Sequence, residues 1–325
     1  MNVRQVIPKD AIPSVDEPTF GDDHAEPDDE VVGVEIGGAA KAYPIRYLNY
    51  HEIVNDRVGG VPIAATWCPL CGSVVVYDRR PAERILPDGT DDPGTLTFGV
   101  SGKLADDDLV MYDRETESEW KQSLGAAIAG PMAGAGLQVL PATTTTWARF
   151  RDSHPGAVVM AEPGGESEAA GDGDDPAPID YDDDPYRDYF AGEGFGLDAH
   201  RDEGAGRSWD REDLAAKERV LGLKIGGDAL AFPRSRVTDA DGVATATVGS
   251  ENVVVLAGDG EMAAYRDPGF DWRVADGGFR GDGVLWNALT GEPLDADRDP
   301  LERLPTQWLF AFAWQDDHGD AFWAA

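Results

Sequence analysis

The chain repeats part of itself, and this internal repeat constrains the fold more than any other feature of the sequence. Residues 33–44 read GVEIGGAAKAYP and residues 222–233 read GLKIGGDALAFP, so seven of these twelve positions are identical. Shorter matches follow in the same order along both stretches. Because a repeated order of features indicates a repeated structural unit, we predict two tandem homologous units.

Each unit is predicted to consist of β-hairpins. In the first, the glycine pairs at 37–38 and 59–60 each separate two runs rich in residues that favour strands, which is the pattern of a tight hairpin turn. Short helices are expected after Pro44 and from Thr144, since both residues favour a helix start. The predicted fold class is mostly β (α+β), with a few short helices and two β-rich units packed face to face.

The composition between the two units predicts a linker. Residues 163–185 contain mainly Gly, Asp, Glu, Ala and Pro, which is typical of a solvated segment. Five aromatic residues between 181 and 195 suggest that its far end packs back onto a domain. The predicted organisation is an N-terminal arm at residues 1–30, repeat unit 1 at 31–162, an acidic linker at 163–215 and a degenerate repeat unit 2 at 216–325.

The charge of the chain excludes some partners. The formal net charge is -35, from 62 acidic and 27 basic residues, and clustered Lys and Arg for phosphate contacts are missing, so we expect no nucleic-acid partner. Such a surface is typical of halophilic proteins of the haloarchaeal cytosol. The sequence has no run of 18 apolar residues and no secretory signal, so we expect a cytoplasmic protein without a membrane span.

The only two cysteines, Cys68 and Cys71, form one C-x-x-C motif at the end of a predicted strand. Two thiols at this spacing either ligate a soft metal or cycle between dithiol and disulfide. A thioredoxin-like site requires a helix after the first cysteine, whereas the residues after Cys71 favour a strand. The simplest alternative is that both thiols are reduced and have no chemical role.

The second hairpin predicts a third ligand for a metal. His51 precedes the turn at 59–60 by as many residues as Cys68 follows it, so a regular hairpin places the two side by side. Cys68, Cys71 and His51 would suit one zinc or copper ion with an open or further position. At the aligned positions, unit 2 has a plain turn at 257–260 and no histidine, so its framework is expected to fold without these residues.

Polar residues near this cluster are candidates for a ligand pocket. Arg114 could hold an anionic ligand with two hydrogen bonds. An equally simple interpretation is that Asp113, Arg114 and Thr116 form a turn that caps itself. The ligand-binding candidates are Glu52, Asn55, Asp56, Ser101, Asp113, Arg114, Trp120 and Gln122.

Several motifs together resemble one known family, the domain-of-unknown-function 3179 family, and the chain resembles a haloarchaeal-type member. The matching stretches are Gly33 to Pro44, His51 to Asp56, Cys68-Pro-Leu-Cys-Gly72, Phe98 to Gly102, Met111 to Arg114 with Thr116, Ser118 and Trp120, His154-Pro155, and Asp184-Pro-Tyr186. The resemblance covers most of the chain. It implies a shared fold and carries no established activity.

Two functional hypotheses follow. The first is a metal-binding (zinc or copper) or thiol-redox protein that uses the C-x-x-C motif and His51, and it leaves enzymatic activity open. The second is a module that binds a small molecule or another protein without catalysis, with incidental thiols.

Overall fold

A computed structural model describes residues 1–81, 94–171, 175–202, 206–258 and 260–324. It confirms the prediction of a mostly β fold, because strands far outnumber the helices and the helices are short. The described helices are α1 (Ile45–His51), α2 (Trp147–Ser153), α3 (Arg187–Ala191), α4 (Leu197–His200), α5 (Arg234–Asp239) and α6 (Ala311–His318). None of these helices has the length and apolar character needed to cross a membrane.

The strands of the described residues are numbered in chain order. They are β1 (Val3–Gln5), β2 (Phe20–Gly21), β3 (Glu30–Ile36), β4 (Ala39–Pro44), β5 (Ile53–Val58), β6 (Val61–Cys68), β7 (Ser73–Asp78), β8 (Phe98–Ala105), β9 (Asp108–Asp113), β10 (Glu119–Lys121), β11 (Ala126–Ala129), β12 (Gln138–Val139), β13 (Thr143–Thr146), β14 (Val158–Met160), β15 (Glu166–Ser167), β16 (Ala177–Pro178), β17 (Arg219–Ile225), β18 (Asp228–Pro233), β19 (Val243–Val248), β20 (Glu251–Gly258), β21 (Glu261–Arg266), β22 (Arg273–Ala275), β23 (Gly278–Gly281), β24 (Val284–Trp286) and β25 (Gln307–Phe310).

Both predicted glycine-pair hairpins of the first stretch are confirmed. The strands β3 and β4 pair up to Ile36 and Ala39, and β5 and β6 pair up to Val58 and Val61. All four turn glycines have positive φ, which is the backbone conformation that such two-residue hairpin turns require.

Three sheets contain most of the strands. One runs β1-β8-β9-β10-β11, another runs β13-β3-β4-β14-β2, and the largest runs β18-β17-β25-β7-β6-β5 with β12 also paired to β7. Smaller sheets are formed by β19-β20-β21, by β22-β23-β24 and by β15-β16. The strands that flank the cysteine motif, β6 and β7, therefore lie inside the largest sheet.

The two stretches that carry the repeat share this largest sheet. Trp308 of β25 pairs with Val74 of β7, so the second stretch continues the sheet of the first. The expectation of two units packed only face to face is therefore wrong. Edge pairing satisfies backbone groups that would otherwise be exposed on β7 and β25.

The acidic segment between the two stretches packs against the first stretch. It contains α3 and α4, and Tyr181, Tyr186, Tyr189 and Phe195 are buried, as expected from their aromatic character, while Phe190 is exposed. The same hydrophobic cluster contains Tyr186, Tyr189 and both cysteines. The aromatic end of the segment thus forms part of the hydrophobic surroundings of the cysteines, and the linker boundaries stay a prediction.

Candidate metal centre

The cysteine motif forms the turn of a β-hairpin. Cys68 is the last residue of β6 and pairs with Ser73, the first residue of β7, so Cys71 lies in the turn between them. The main-chain N–H of Phe310 donates a hydrogen bond to the carbonyl oxygen of Cys71 at 2.7 Å. Gly72 has a φ of 56°, and a Cβ there would lie 2.7 Å from the Phe310 ring, so the turn is closely packed. Both cysteines are buried and free.

A third potential ligand lies beside the two thiols. The donor atoms of Cys68, Cys71 and Asp108 all lie within 4.8 Å of one another, and all three residues are buried. Asp108 begins β9, and its Oδ2 accepts a hydrogen bond from the main-chain N–H of Ser123 at 2.9 Å. Its Oδ1 is buried and has no hydrogen-bond partner among the described residues. This arrangement of two sulfurs and one carboxylate is suited to a metal ion.

The surroundings of the three donors favour their protonated forms. Burial raises the pKa of both thiols, and for Cys71 this effect is joined by the neighbouring Cys68 and Asp108. Burial also raises the pKa of Asp108 to about 6, against the opposing effect of Lys121. A bound cation would reverse this preference, because it stabilises the deprotonated donors.

A buried ion pair lies behind these donors. The side chain of Lys121 is 2% exposed, and its Nζ lies 2.5 Å from Oδ1 of Asp317. The other carboxylate oxygen of Asp317 accepts a hydrogen bond from Oγ of Ser123 at 2.5 Å. Ser123 thus joins Asp317 of α6 to the potential ligand Asp108.

His51 does not lie in the strand where the sequence placed it. The pairing of β5 with β6 has the predicted register but stops at Ile53 and Thr66, because His51 is the last residue of α1. Its Nδ1 lies 2.8 Å from the carbonyl oxygen of Pro13, and its Nε2 lies 2.7 Å from the hydroxyl of Tyr181. Both ring nitrogens therefore have protein partners, and His51 is outside the group of three donors.

Glu52 is a predicted pocket residue that lines the same cavity as Cys68. It follows α1 with a φ of 56°, and its carboxyl group is buried, with 8% of the residue exposed. Burial raises its pKa to about 8, with further contributions from Glu168 and Asp108. Its Oε2 has no hydrogen-bond partner in the described part of the chain. Glu52 and Cys68 both line one cavity of about 80 Å³.

A family model described as "Protein of unknown function (DUF3179)" matches residues 9–321. The chain belongs to the DUF3179 family. This confirms the resemblance found in the sequence. Comparisons with curated proteins and with solved structures gave no match. Since the family description assigns no activity, the function of this DUF3179 protein must be argued from its own side chains.

Two of the other predicted pocket residues of this DUF3179 protein join sheets. The amide of Asn55 donates to the carbonyl oxygen of Phe98 at 2.8 Å and accepts from the N–H of Phe98 at 3.0 Å, which ties β5 to β8. Asp56 accepts hydrogen bonds from Lys41 and from the hydroxyl of Tyr43, both at 2.8 Å. These contacts give both residues a structural role.

The candidates on β8 to β10 also form internal hydrogen bonds. Asp113 accepts from the N–H of Thr116 and from the indole N–H of Trp120, as the self-capping interpretation of this turn expects. Arg114 pairs with Asp16, and its other terminal nitrogen donates to Ser14 at 2.9 Å. The guanidinium group that was a candidate for an anionic ligand is therefore held by protein groups.

The last two candidates are buried between strands. The hydroxyl of Ser101 donates to the carbonyl oxygen of Val110, across a bulge in the pairing of β8 and β9. Gln122 donates to the hydroxyl of Thr66 at 2.8 Å and accepts from Ser73 at 2.6 Å, so it supports the two cysteine strands. Neither residue lines the cavity beside Cys68.

Sequence reasoning missed Asp108, Lys121 and Asp317. Asp108 belongs to a run of three aspartates that is typical of a polar turn, but only the first two aspartates form that turn in the structure. The run stands directly before an apolar strand. This position could have indicated that its last aspartate begins the strand. The turn of the second stretch that corresponds to the cysteine motif includes Asp259, which is outside the described residues.

Proposed function

We propose that this protein binds one zinc ion through Cys68, Cys71 and Asp108 and keeps a fourth coordination position open. The observation that carries the proposal is the mutual approach of these three buried donors to within 4.8 Å. In a tetrahedral zinc site the donors lie about 3.5–3.8 Å apart, so they need to approach by at most about 1.3 Å. Three protein ligands with one open position is the arrangement of catalytic zinc sites.

The chemistry of the donors favours zinc over copper. Cu(I) prefers soft sulfur and nitrogen ligands, whereas zinc accepts thiolate and carboxylate together. Two thiolates and one carboxylate leave one net negative charge around a divalent zinc ion. Lys121 is buried nearby. Burial alone would lower its pKa, but Asp108 and Asp317 raise it overall. Its ammonium group would offset that negative charge.

Thiol-redox chemistry has less support from the surroundings of Cys68 and Cys71. Redox-active cysteines require a stabilised thiolate, which a helix N-terminus or a neighbouring positive charge provides. Here β7 begins two residues after Cys71, and burial raises the pKa of both thiols. Asp108 also disfavours a thiolate at both cysteines, and the opposing effect of Lys121 on the pKa of Cys71 does not overcome burial.

Metal analysis tests the proposal directly. Protein purified without a histidine tag is expected to contain about one zinc per chain by mass spectrometry of its metals. The double variant Cys68→Ser/Cys71→Ser is expected to contain none, and Asp108→Asn should bind zinc at least about tenfold more weakly, which corresponds to about 1.4 kcal/mol. The matched control is Asp56→Asn, because Asp56 is a partly buried aspartate bonded to Lys41 and Tyr43.

Two results would contradict the proposal. The first is wild-type protein that stays metal-free after incubation with zinc, which is what a metal-free binding module predicts. The second is equal zinc affinity in Asp108→Asn and in Asp56→Asn, which would mean that Asp108 is not a zinc ligand.

A further inference from the structure

The cavity beside Cys68 is lined by both polar and apolar side chains. Cys68 and Glu52 are among the residues that line it. Apolar side chains from the N-terminal segment, from β8 and β9 and from α4 form much of the rest, among them Ile12, Val100 and Leu109. Its volume of about 80 Å³ is well above the roughly 10–15 Å³ that one water molecule needs. A space of this size would hold about five to eight non-hydrogen atoms.

Glu52 gives this cavity a hydrogen-bonding group without a protein partner. Its backbone is fixed, because its N–H donates to Leu48 at 2.8 Å and its carbonyl oxygen accepts from the N–H of Trp67 at 2.8 Å. Its positive φ is unfavourable for a residue with a side chain. A strained acidic residue whose buried Oε2 is unbonded within the described residues indicates a role in binding.

The charged groups around the cavity are already paired. Lys103 lies 2.5 Å from Glu119, and Arg201 lies 4.0 Å from Glu168. Burial disfavours the ionised form of the Glu52 carboxyl group, and its protonated form can donate a hydrogen bond. A charged ligand would therefore meet no free counter-charge among these groups.

From these observations we infer that the cavity is a binding chamber for a small uncharged molecule whose polar oxygen accepts a hydrogen bond from Glu52. The remainder of the ligand is apolar and contacts residues such as Val100 and Leu109. The chamber itself needs no metal, but contact of the ligand with the open coordination position rests on the proposed zinc site.

One wall of the chamber is shared with a neighbouring cleft. Tyr186 and His200 line the chamber, and their rings stack at 4.9 Å between centroids. The same two residues and Glu168 also line a second cleft of about 330 Å³. The stacked pair therefore borders both spaces.

Cyclopentanone is a suitable probe, since it is small and uncharged and has one oxygen acceptor. Full-length protein of measured zinc content is titrated with the probe, and binding is followed by ligand-observed NMR. We expect saturable binding, with no binding of the larger 2-adamantanone or of cyclopentanecarboxylate. Glu52→Met should weaken binding about tenfold, through loss of one buried hydrogen bond, and Glu52→Gln should retain it.

Two further variants test the location of binding. Leu109→Phe should fill the chamber and abolish binding, and Leu197→Phe is the second choice if the first variant does not fold. Leu294→Phe changes an exposed leucine far along the chain and should bind like the wild type.

The outcomes separate the two proposals. Zinc-loaded protein that does not bind cyclopentanone, or that binds it equally well in all variants, overturns the chamber and leaves the zinc site intact. Protein that stays metal-free after incubation with zinc, yet binds cyclopentanone and loses this binding in Leu109→Phe, supports the chamber and overturns the zinc site.

Discussion

At the scale of single residues, buried groups without partners mark the candidate site. Glu52 Oε2 and Asp108 Oδ1 are both buried without hydrogen-bond partners among the described residues. Each of them lies close to the thiols, and each has a raised pKa because of burial. Leaving such groups unsatisfied costs stability, so their retention near two cysteines favours a role in binding.

Replacing Glu52 by glutamine should change how stability depends on pH. Burial raises the pKa of Glu52 from the 4.5 of an ordinary glutamate to about 8 in the folded protein, so the folded state binds the proton more tightly. The protonated Glu52 side chain therefore stabilises the folded protein fully at pH values below its pKa in the unfolded chain. This stabilisation is lost as the pH rises to about 8. Between pH 4 and pH 8 the wild type should lose up to on the order of 4 kcal/mol relative to Glu52→Gln.

Urea unfolding at pH 5 and pH 8 measures this difference. Glu35→Gln is the control, since Glu35 is exposed and its replacement should leave the pH dependence of the wild type unchanged. Parallel pH profiles for the wild type and Glu52→Gln would show that Glu52 is ionised normally in the folded protein.

At the scale of elements, the two stretches share an order of strands and helices. The series β3-β4-α1-β5-β6-β7 corresponds to β17-β18-α5-β19-β20-β21, and β13 with α2 corresponds to β25 with α6. In the ladders Gly33 pairs with Thr143 and Gly222 pairs with Gln307. This correspondence supports the predicted tandem units, which stay a prediction.

Gly33 and Gly222 are expected to be intolerant of any side chain. A Cβ would lie 2.3 Å from the Phe150 ring at the first position and 2.3 Å from the Trp314 ring at the second. Each ring is the buried side chain of a helix residue and cannot easily move away. Gly33→Ala and Gly222→Ala should therefore each lower the free energy of unfolding by about 1–3 kcal/mol. The measurement is chemical denaturation.

Two comparisons check that explanation. Phe150→Leu should recover part of the loss in Gly33→Ala. Gly258→Ala, in a strand where a Cβ would come no closer than 3.7 Å to Phe279, should have little effect. Equal losses at Gly33 and Gly258 would contradict the steric argument.

The sequence predicted what local chemistry determines. Glycine pairs with positive φ fix the hairpins, and the strand after Cys71 follows from its β-branched residues. It did not predict that Asp108 lies beside the cysteines, because that contact depends on how two sheets pack. It misplaced His51 because the helix after Pro44 runs on through His51 and leaves only Glu52 before β5. That helix length depends on tertiary packing more than on local sequence.

At the scale of the whole molecule, the second stretch supports the cysteine turn of the first. Phe310 donates to the carbonyl oxygen of Cys71, and Asp317 bonds to both Lys121 and Ser123. A second stretch without cysteines thus still contributes to the candidate metal centre. The second stretch therefore has a structural role at this centre.

Asp317→Asn should weaken both the fold and the proposed zinc site. Removing the carboxylate leaves the Lys121 ammonium buried without its closest counter-charge, which costs about 3–5 kcal/mol. Zinc affinity should fall as well, because one negative charge near the cation is lost. Asp316→Asn is the matched control, since neighbouring Asp316 pairs with Arg207 at 2.7 Å.

Calorimetric unfolding and zinc titration of both variants measure these effects. Unchanged zinc affinity in folded Asp317→Asn would mean that the ion pair stabilises the fold without influencing the metal.

The continuous ladder from β18 through β25 to β5 leaves no hinge between the two stretches. Opening and closing of the molecule as two halves would break main-chain hydrogen bonds between β25 and β7. The segment with α3 and α4 is held differently, through side-chain contacts such as the hydroxyl of Tyr189 on the carbonyl oxygen of Leu70 at 2.6 Å. We therefore expect access to the buried sulfurs to depend on movement of this segment and not on motion of the two stretches against each other.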